Sequence, residues 1–174
     1  NYLLEFLTYL LNTPSPTGFA HQAIETTQAA LQAFPGIQIK LTRKGALVAA
    51  WTGEQSDTPR ALTAHADTLG AMVKEIKSNG RLQLSKIGGF AWNTVEGEGC
   101  TIFTRKGQSI RGALLLAKSS SHVHGKAVME TLRDDDKMEV RLDARTQNAD
   151  ETRTLGIEVG DFVAFDPRVE ITNG

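Results

Sequence analysis

The 174 residues suit one ordinary domain or two small ones. With 19 Lys and Arg against 20 Asp and Glu, the charge is nearly balanced, which leaves neither the basic footprint of a nucleic-acid binder nor an acidic tail. The longest apolar runs, such as residues 113–117, are far too short to cross a bilayer, so no membrane partner is expected.

Residues 2–11 place Leu3, Phe6, Leu7, Leu10 and Leu11 at helical spacing. This segment carries Glu5 and has no basic leader, so it does not read as a signal peptide, and the first residue is Asn1 rather than Met. Thr13-Pro14-Ser15-Pro16-Thr17-Gly18 stops the helix, since neither proline can continue it. A second helix is predicted over about 19–34, with Ile24, Leu31 and Phe34 buried, and Pro35-Gly36 ends it. Residues 37–42 alternate apolar and polar as a half-buried strand does. Residues 46–51 and 60–66 are more continuously apolar, and the second reads as a central, fully buried strand. Beyond Asp67 the texture changes. Short strands are predicted at 71–76, 81–87, 101–104, 109–116, 127–131 and 138–142, separated by turn signals at Asn79-Gly80, Gly88-Gly89, Lys106-Gly107 and Asp134-Asp135-Asp136. That spacing suggests a small β-barrel or sandwich. Asn148 can cap a helix over about 149–155 that ends at Gly156, and residues 160–166 read as a return strand. The expected class is therefore α/β: residues 1–70 form the first part of an α/β domain, 71–162 a β-barrel-like insertion, and 163–174 the start of the return.

The chemistry concentrates at Ala64-His65-Ala66-Asp67-Thr68-Leu69-Gly70. A histidine and a carboxylate at i and i+2 point to one side of an extended chain. One imidazole nitrogen can then bind a metal while the Asp accepts a hydrogen bond from the other and sets the tautomer. The plainer account is a strand-end histidine bonded to a nearby carboxylate. His122 and His124 form a second i, i+2 pair, which on a strand could hold zinc, although a surface pair or a subunit contact explains them as well. His21 reads as a helix-surface or packing residue. The three aspartates at 134–136 lack the alternation and distal Glu of a calcium loop and read as a solvated turn. Glu96-Gly97-Glu98-Gly99 could pair two carboxylates for acid–base work, yet a glycine-rich loop is simpler. Gly88-Gly89 has no phosphate-loop context. The single cysteine, Cys100, excludes an internal disulfide framework and fits a reducing, cytoplasmic setting. It reads as a small buried residue, because no base is positioned to activate it. Trp51 and Trp92 read as packing residues.

In order along the chain, five segments resemble the tetrahedral or glutamyl aminopeptidases, a family of dinuclear metallopeptidases that also carries the name cellulase or endoglucanase M. They are Pro14-Ser15-Pro16-Thr17-Gly18, the His65–Asp67 segment, Thr104-Arg105-Lys106-Gly107, Val140-Arg141-Leu142-Asp143-Ala144, and the long run from Leu155 to Pro167. The resemblance implies a metal-dependent aminopeptidase that removes N-terminal residues from peptides. His65 would bind one of two divalent ions, zinc or cobalt, with Asp67 orienting it. The α/β catalytic domain would be interrupted by a barrel that builds a homo-oligomer, a dodecamer in that family. In relatives, the remaining ligands and the general-base glutamate lie beyond the position of Gly174, so these residues alone are expected to be inactive. The alternative is a non-catalytic assembly or binding module. Glycoside hydrolysis would need two carboxyl groups flanking a sugar site, and no pair here is better placed for it than chance allows.

Overall fold

A computed structural model describes residues 1–55 and 57–173. The chain divides into two compact units, Asn1–Asp67 with Pro167–Gly174, and Thr68–Asp166.

The first unit opens with α1 (Tyr2–Leu11), whose N-cap Asn1 accepts a hydrogen bond from Leu3 N. Asn12 ends this helix. Its side-chain amide donates to the Val169 carbonyl at 3.2 Å, and its Oδ1 accepts from Val169 N at 3.3 Å, which ties down the returning segment. After the Pro-rich turn come α2 (His21–Gln32) and an antiparallel hairpin of β1 (Ile37–Leu41) and β2 (Leu47–Trp51). The core of this unit is thin. Ala23 and Ser15 are buried, whereas Tyr2, Leu3, Tyr9, Val48 and Trp51 stand at the surface. Ile24 and Leu31 are half-buried and Phe34 is exposed, against its predicted burial. Trp51 likewise lies open, tilted against Phe34 with 6.3 Å between ring centroids.

The largest departure from expectation in this unit is residues 60–66. They form no strand, and Leu62 is fully exposed. A central buried strand needs a hydrogen-bonding neighbour on each edge. The sheet of this unit among the described residues has two strands, β1 and β2, and neither pairs with residues 60–66.

The second unit is a closed six-stranded barrel. Its strands are β3 (Gly70–Ile76), β4 (Leu82–Ile87), β5 (Gly99–Phe103), β6 (Ser109–Leu116), β7 (Met138–Leu142) and β8 (Phe162–Phe165), arranged in the order β3-β4-β7-β6-β5-β8. Period-two burial builds the interior from Cys100 and Ile102 on β5 and Leu114 and Leu116 on β6, while Met138 and Val140 on β7 flank Glu139, which is buried as well. Val73, Leu82, Leu84, Trp92, Leu142, Ile157 and Val163 pack with them. Residues 160–166, which read as a return strand, supply β8, which pairs with both β3 and β5 and closes the cylinder. The compact unit ends at Asp166. Closure removes both sheet edges, which otherwise need separate protection.

Two further segments differ from expectation. Residues 127–131 form a helical turn, α4 (Ala127–Glu130), not a strand. Ala, Met and Glu favour helix, and Arg133 donates to the carbonyls of Val128 and Thr131 at 2.7 and 2.8 Å while pairing with Glu96. His122 and His124 lie on another short turn, α3 (Ser121–His124). By contrast, α5 (Ala149–Thr154) follows its cap signal. Asn148 Oδ1 accepts from Glu151 N at 2.9 Å, while Glu151 Oε2 accepts from Gln147 N at 2.7 Å. Thr152, buried on this helix, donates to the Gly80 carbonyl at 2.8 Å and anchors the β3–β4 turn. Gly80 has φ +80°, and a Cβ there would lie 3.0 Å from the Asn148 carbonyl oxygen, so the turn admits only glycine without strain.

At the end of β8, Arg111 donates to both oxygens of Asp166 at 2.6 and 2.5 Å and to Thr101 Oγ1 at 2.7 Å. Gly99 makes room for this pair, since a Cβ there would meet the Asp166 carboxylate and lie 2.9 Å from Arg111 Nη2. The Arg111 hydrogen bonds hold the Asp166 carboxyl below its ordinary range. A carboxyl depressed in the folded state contributes stability that is complete above its unfolded pKa and is lost as pH falls through the folded one. The barrel is therefore expected to lose stability at acid pH through Asp166, and Asp166→Asn should flatten that limb. Urea midpoints against pH, read from the fluorescence of buried Trp92, check this. The pair is partly exposed, so the effect is a small one.

Candidate metal centre

Residues 65–67 continue an extended segment whose backbone is held from the Pro-rich turn. Ser15, buried to 1% exposure, donates its hydroxyl to the Ala66 carbonyl at 2.9 Å. Two residues on, the Thr17 hydroxyl donates to Asp67 Oδ2. Pro16 between them fixes φ. The turn thus presents one hydroxyl to the Ala66 carbonyl and one to the Asp67 carboxylate. In the sequence this turn shows only as a helix stop and a family resemblance, because nothing local announces a partner 50 residues away.

His65 Nδ1 lies 2.9 Å from the Asp67 carbonyl oxygen and 3.2 Å from Asp67 Oδ1. Both neighbours are acceptors, so Nδ1 carries the proton and Nε2 keeps its lone pair. The His65 side chain is 85% exposed, which leaves Nε2 open to an incoming ion. The Asp67 carboxyl is held below its ordinary range, first by the Thr17 hydroxyl, against a smaller opposing desolvation, with the backbone and His65 adding to the lowering. It therefore stays an anion beside the imidazole. A donor lone pair facing out, with an anion fixing the opposite nitrogen, is the chemistry of one metal ligand with its orienting partner. Among the described residues, no group of three or more His, Cys, Asp and Glu stands close enough to hold an ion. The fit is thus to one ligand of a set.

The other candidates separate from this centre. A helix points i and i+2 side chains to different faces, so the placement of His122 and His124 on α3 overturns the zinc pairing that a strand would allow. His21 opens α2 edge-to-face against Phe19 at 4.7 Å, a packing role. The three aspartates form a latch: Asp135 accepts from Trp92 Nε1 at 2.6 Å, Asp136 from Gln83 at 3.0 Å, and Asp134 from Lys137 at 2.7 Å. Glu96 is engaged by Arg133 at 2.8 Å, which removes it from an acid–base pair. Burial pushes the Cys100 thiol up to about 12, so it is no nucleophile at neutral pH.

The profile of the M42 glutamyl aminopeptidase family matches residues 45–174, a stretch that includes His65, Asp67 and the barrel. The chain belongs to the M42 family. It is 44% identical over 170 residues to the putative aminopeptidase YhfE of Bacillus subtilis, covering 98% of this chain and 49% of that protein. Among solved structures, the TET aminopeptidase from the marine-sediment archaeon Thaumarchaeota archaeon SCGC AB-539-E09 superposes with a TM-score of 0.83 at 20% identity, over 100% of this chain and 48% of that one. Pyrococcus horikoshii TET1 peptidase, which can assemble into a tetrahedron or a large octahedral shell, gives 0.70 at 21%, over 93% and 46%. At such identities the structures establish the shared fold alone. The chain spans about half the length of the curated M42 relatives it matches.

Proposed function

We propose that this chain is part of a metal-dependent aminopeptidase that releases N-terminal residues from peptides, with His65 binding one of two divalent ions, zinc or cobalt. The observation that carries the reading is the outward Nε2 of His65, with Nδ1 tied to Asp67, inside the stretch matched by the M42 profile. A bound divalent metal supplies Lewis acidity toward the scissile carbonyl. In this chain, His65 binds through Nε2, and Asp67 holds the donor tautomer and raises its basicity. The other ligands and the base come from outside these 174 residues, so the chain by itself is catalytically silent. The first unit is built from two stretches, Asn1–Asp67 and Pro167–Gly174, on either side of the barrel. This supports reading the barrel as an insertion into the catalytic domain, and we assign it the homo-oligomer contact. The setting we assign is cytoplasmic. No helix among the described residues is long and apolar enough to cross a membrane.

A second reading, a non-catalytic assembly module, draws on the incomplete ligand set. One experiment separates the two. The whole protein is assayed on aminoacyl p-nitroanilides before chelation, after it, and after cobalt or zinc is returned. We expect loss and recovery of release, with none from a chain ending at Gly174. Metal-dependent release by that short chain would overturn the incomplete-site reading, and failure of the whole protein to respond to metal would overturn the enzyme reading.

A further inference from the structure

We propose that Thr17 is a positioning residue for His65, acting through Asp67 to select the imidazole tautomer whose Nε2 can bind a metal; the metal part rests on the function proposed above. A carboxylate on an exposed segment swings broadly about χ2, and its two oxygens are equivalent. Here they are not. Oδ2 accepts the Thr17 hydroxyl and Oδ1 faces His65 Nδ1 at 3.2 Å. The backbone between the two residues is held as well, by Ser15 through the Ala66 carbonyl at 2.9 Å. The imidazole has no such packing of its own, being 85% exposed, and the polar contacts that orient Nδ1 are the two to Asp67. Ordering at His65 is therefore borrowed from Asp67, and that of Asp67 from the turn. Without the Thr17 hydroxyl, Oδ2 turns to water and the carboxylate is free to rotate away, which leaves Nδ1 the Asp67 carbonyl and takes the anion from its side. An unrestrained imidazole in water prefers the proton on Nε2, the tautomer that cannot donate there. The Thr17 bond thus works against the solution preference of the ring it never touches.

Histidine tautomers are read directly in this chain by long-range proton–nitrogen correlation on nitrogen-labelled histidine, above the imidazole titration, with His65→Gln assigning the resonance. Wild type and Thr17→Ser are expected to show the proton on Nδ1. Thr17→Val, which keeps the shape and loses the hydroxyl, should shift His65 toward the Nε2-protonated form. An unchanged tautomer in Thr17→Val overturns the proposal, as does Thr17→Ser behaving like Thr17→Val. Dispersed amide signals from the β1–β2 hairpin in every variant show that the first unit is intact. Cobalt titration of the same samples tests the underlying reading separately: broadening of the His65 signal in wild type, weakened roughly 10-fold or more in Thr17→Val, is expected. No cobalt effect on His65 in wild type would overturn the metal role, whereas the tautomer result decides the role of Thr17.

Discussion

Replacing His65 by alanine in the whole protein is expected to empty one metal position, and Asp67→Asn to weaken metal binding by roughly 10- to 100-fold. The two effects have different origins. His65→Ala removes the donor atom itself. Asp67→Asn keeps the shape but removes the anion. It also lets the side-chain amide face Nδ1 as a donor, favouring a ring whose proton sits on Nε2. Neither residue lies in the barrel interior, so both variants should keep the wild-type emission of Trp92. Metal content per chain after dialysis, followed by competition with a chelator, measures both effects. Stoichiometry unchanged in His65→Ala would remove this residue from the ligand set. Equal affinity in Asp67→Asn would mean that the carboxylate is incidental.

The largest stability effect is expected in the barrel. Leu114 is fully buried on β6, between β5 and β7. Truncating it to alanine loses the transfer free energy of the removed carbons and opens a cavity in a closed cylinder that cannot collapse. Such changes cost about 2–5 kcal/mol. The control is Leu62→Ala, at a fully exposed position, where about 0.5 kcal/mol or less is expected. Urea unfolding of both variants by Trp92 fluorescence makes the comparison, since that indole is packed with the core and reports on the barrel. Comparable losses in the two variants would mean that Leu114 contributes no more to the barrel than an exposed residue of the other unit.

Much of the barrel was legible because its signals are local. Alternating apolar residues and the turns at Asn79-Gly80 and Lys106-Gly107 mark β3 to β6, and the Asn148 cap marks α5. Residues 127–131 were misread because a short apolar run fits either state. Arg133, which organises the helical turn through Val128 and Thr131, adds nothing to the local periodicity. The histidine pair at 122 and 124 changed meaning for the same reason. Its geometry depends on whether the period is two or 3.6, and those four residues do not contain that information.

By itself, the order of residues determined the strand-rich texture after Asp67, the capped helix, the nearness of His65 and Asp67, and the family resemblance. Each depends on neighbours a few positions apart or on linear order alone. The tertiary structure decided the rest. It placed β8 between β3 and β5, left residues 60–66 without a strand partner, and brought the Thr17 hydroxyl to the Asp67 carboxylate. These are pairings across long stretches of chain. Their hydrogen-bonding groups are the same in every residue or in every hydroxyl, so only closure of the backbone selects which partners meet.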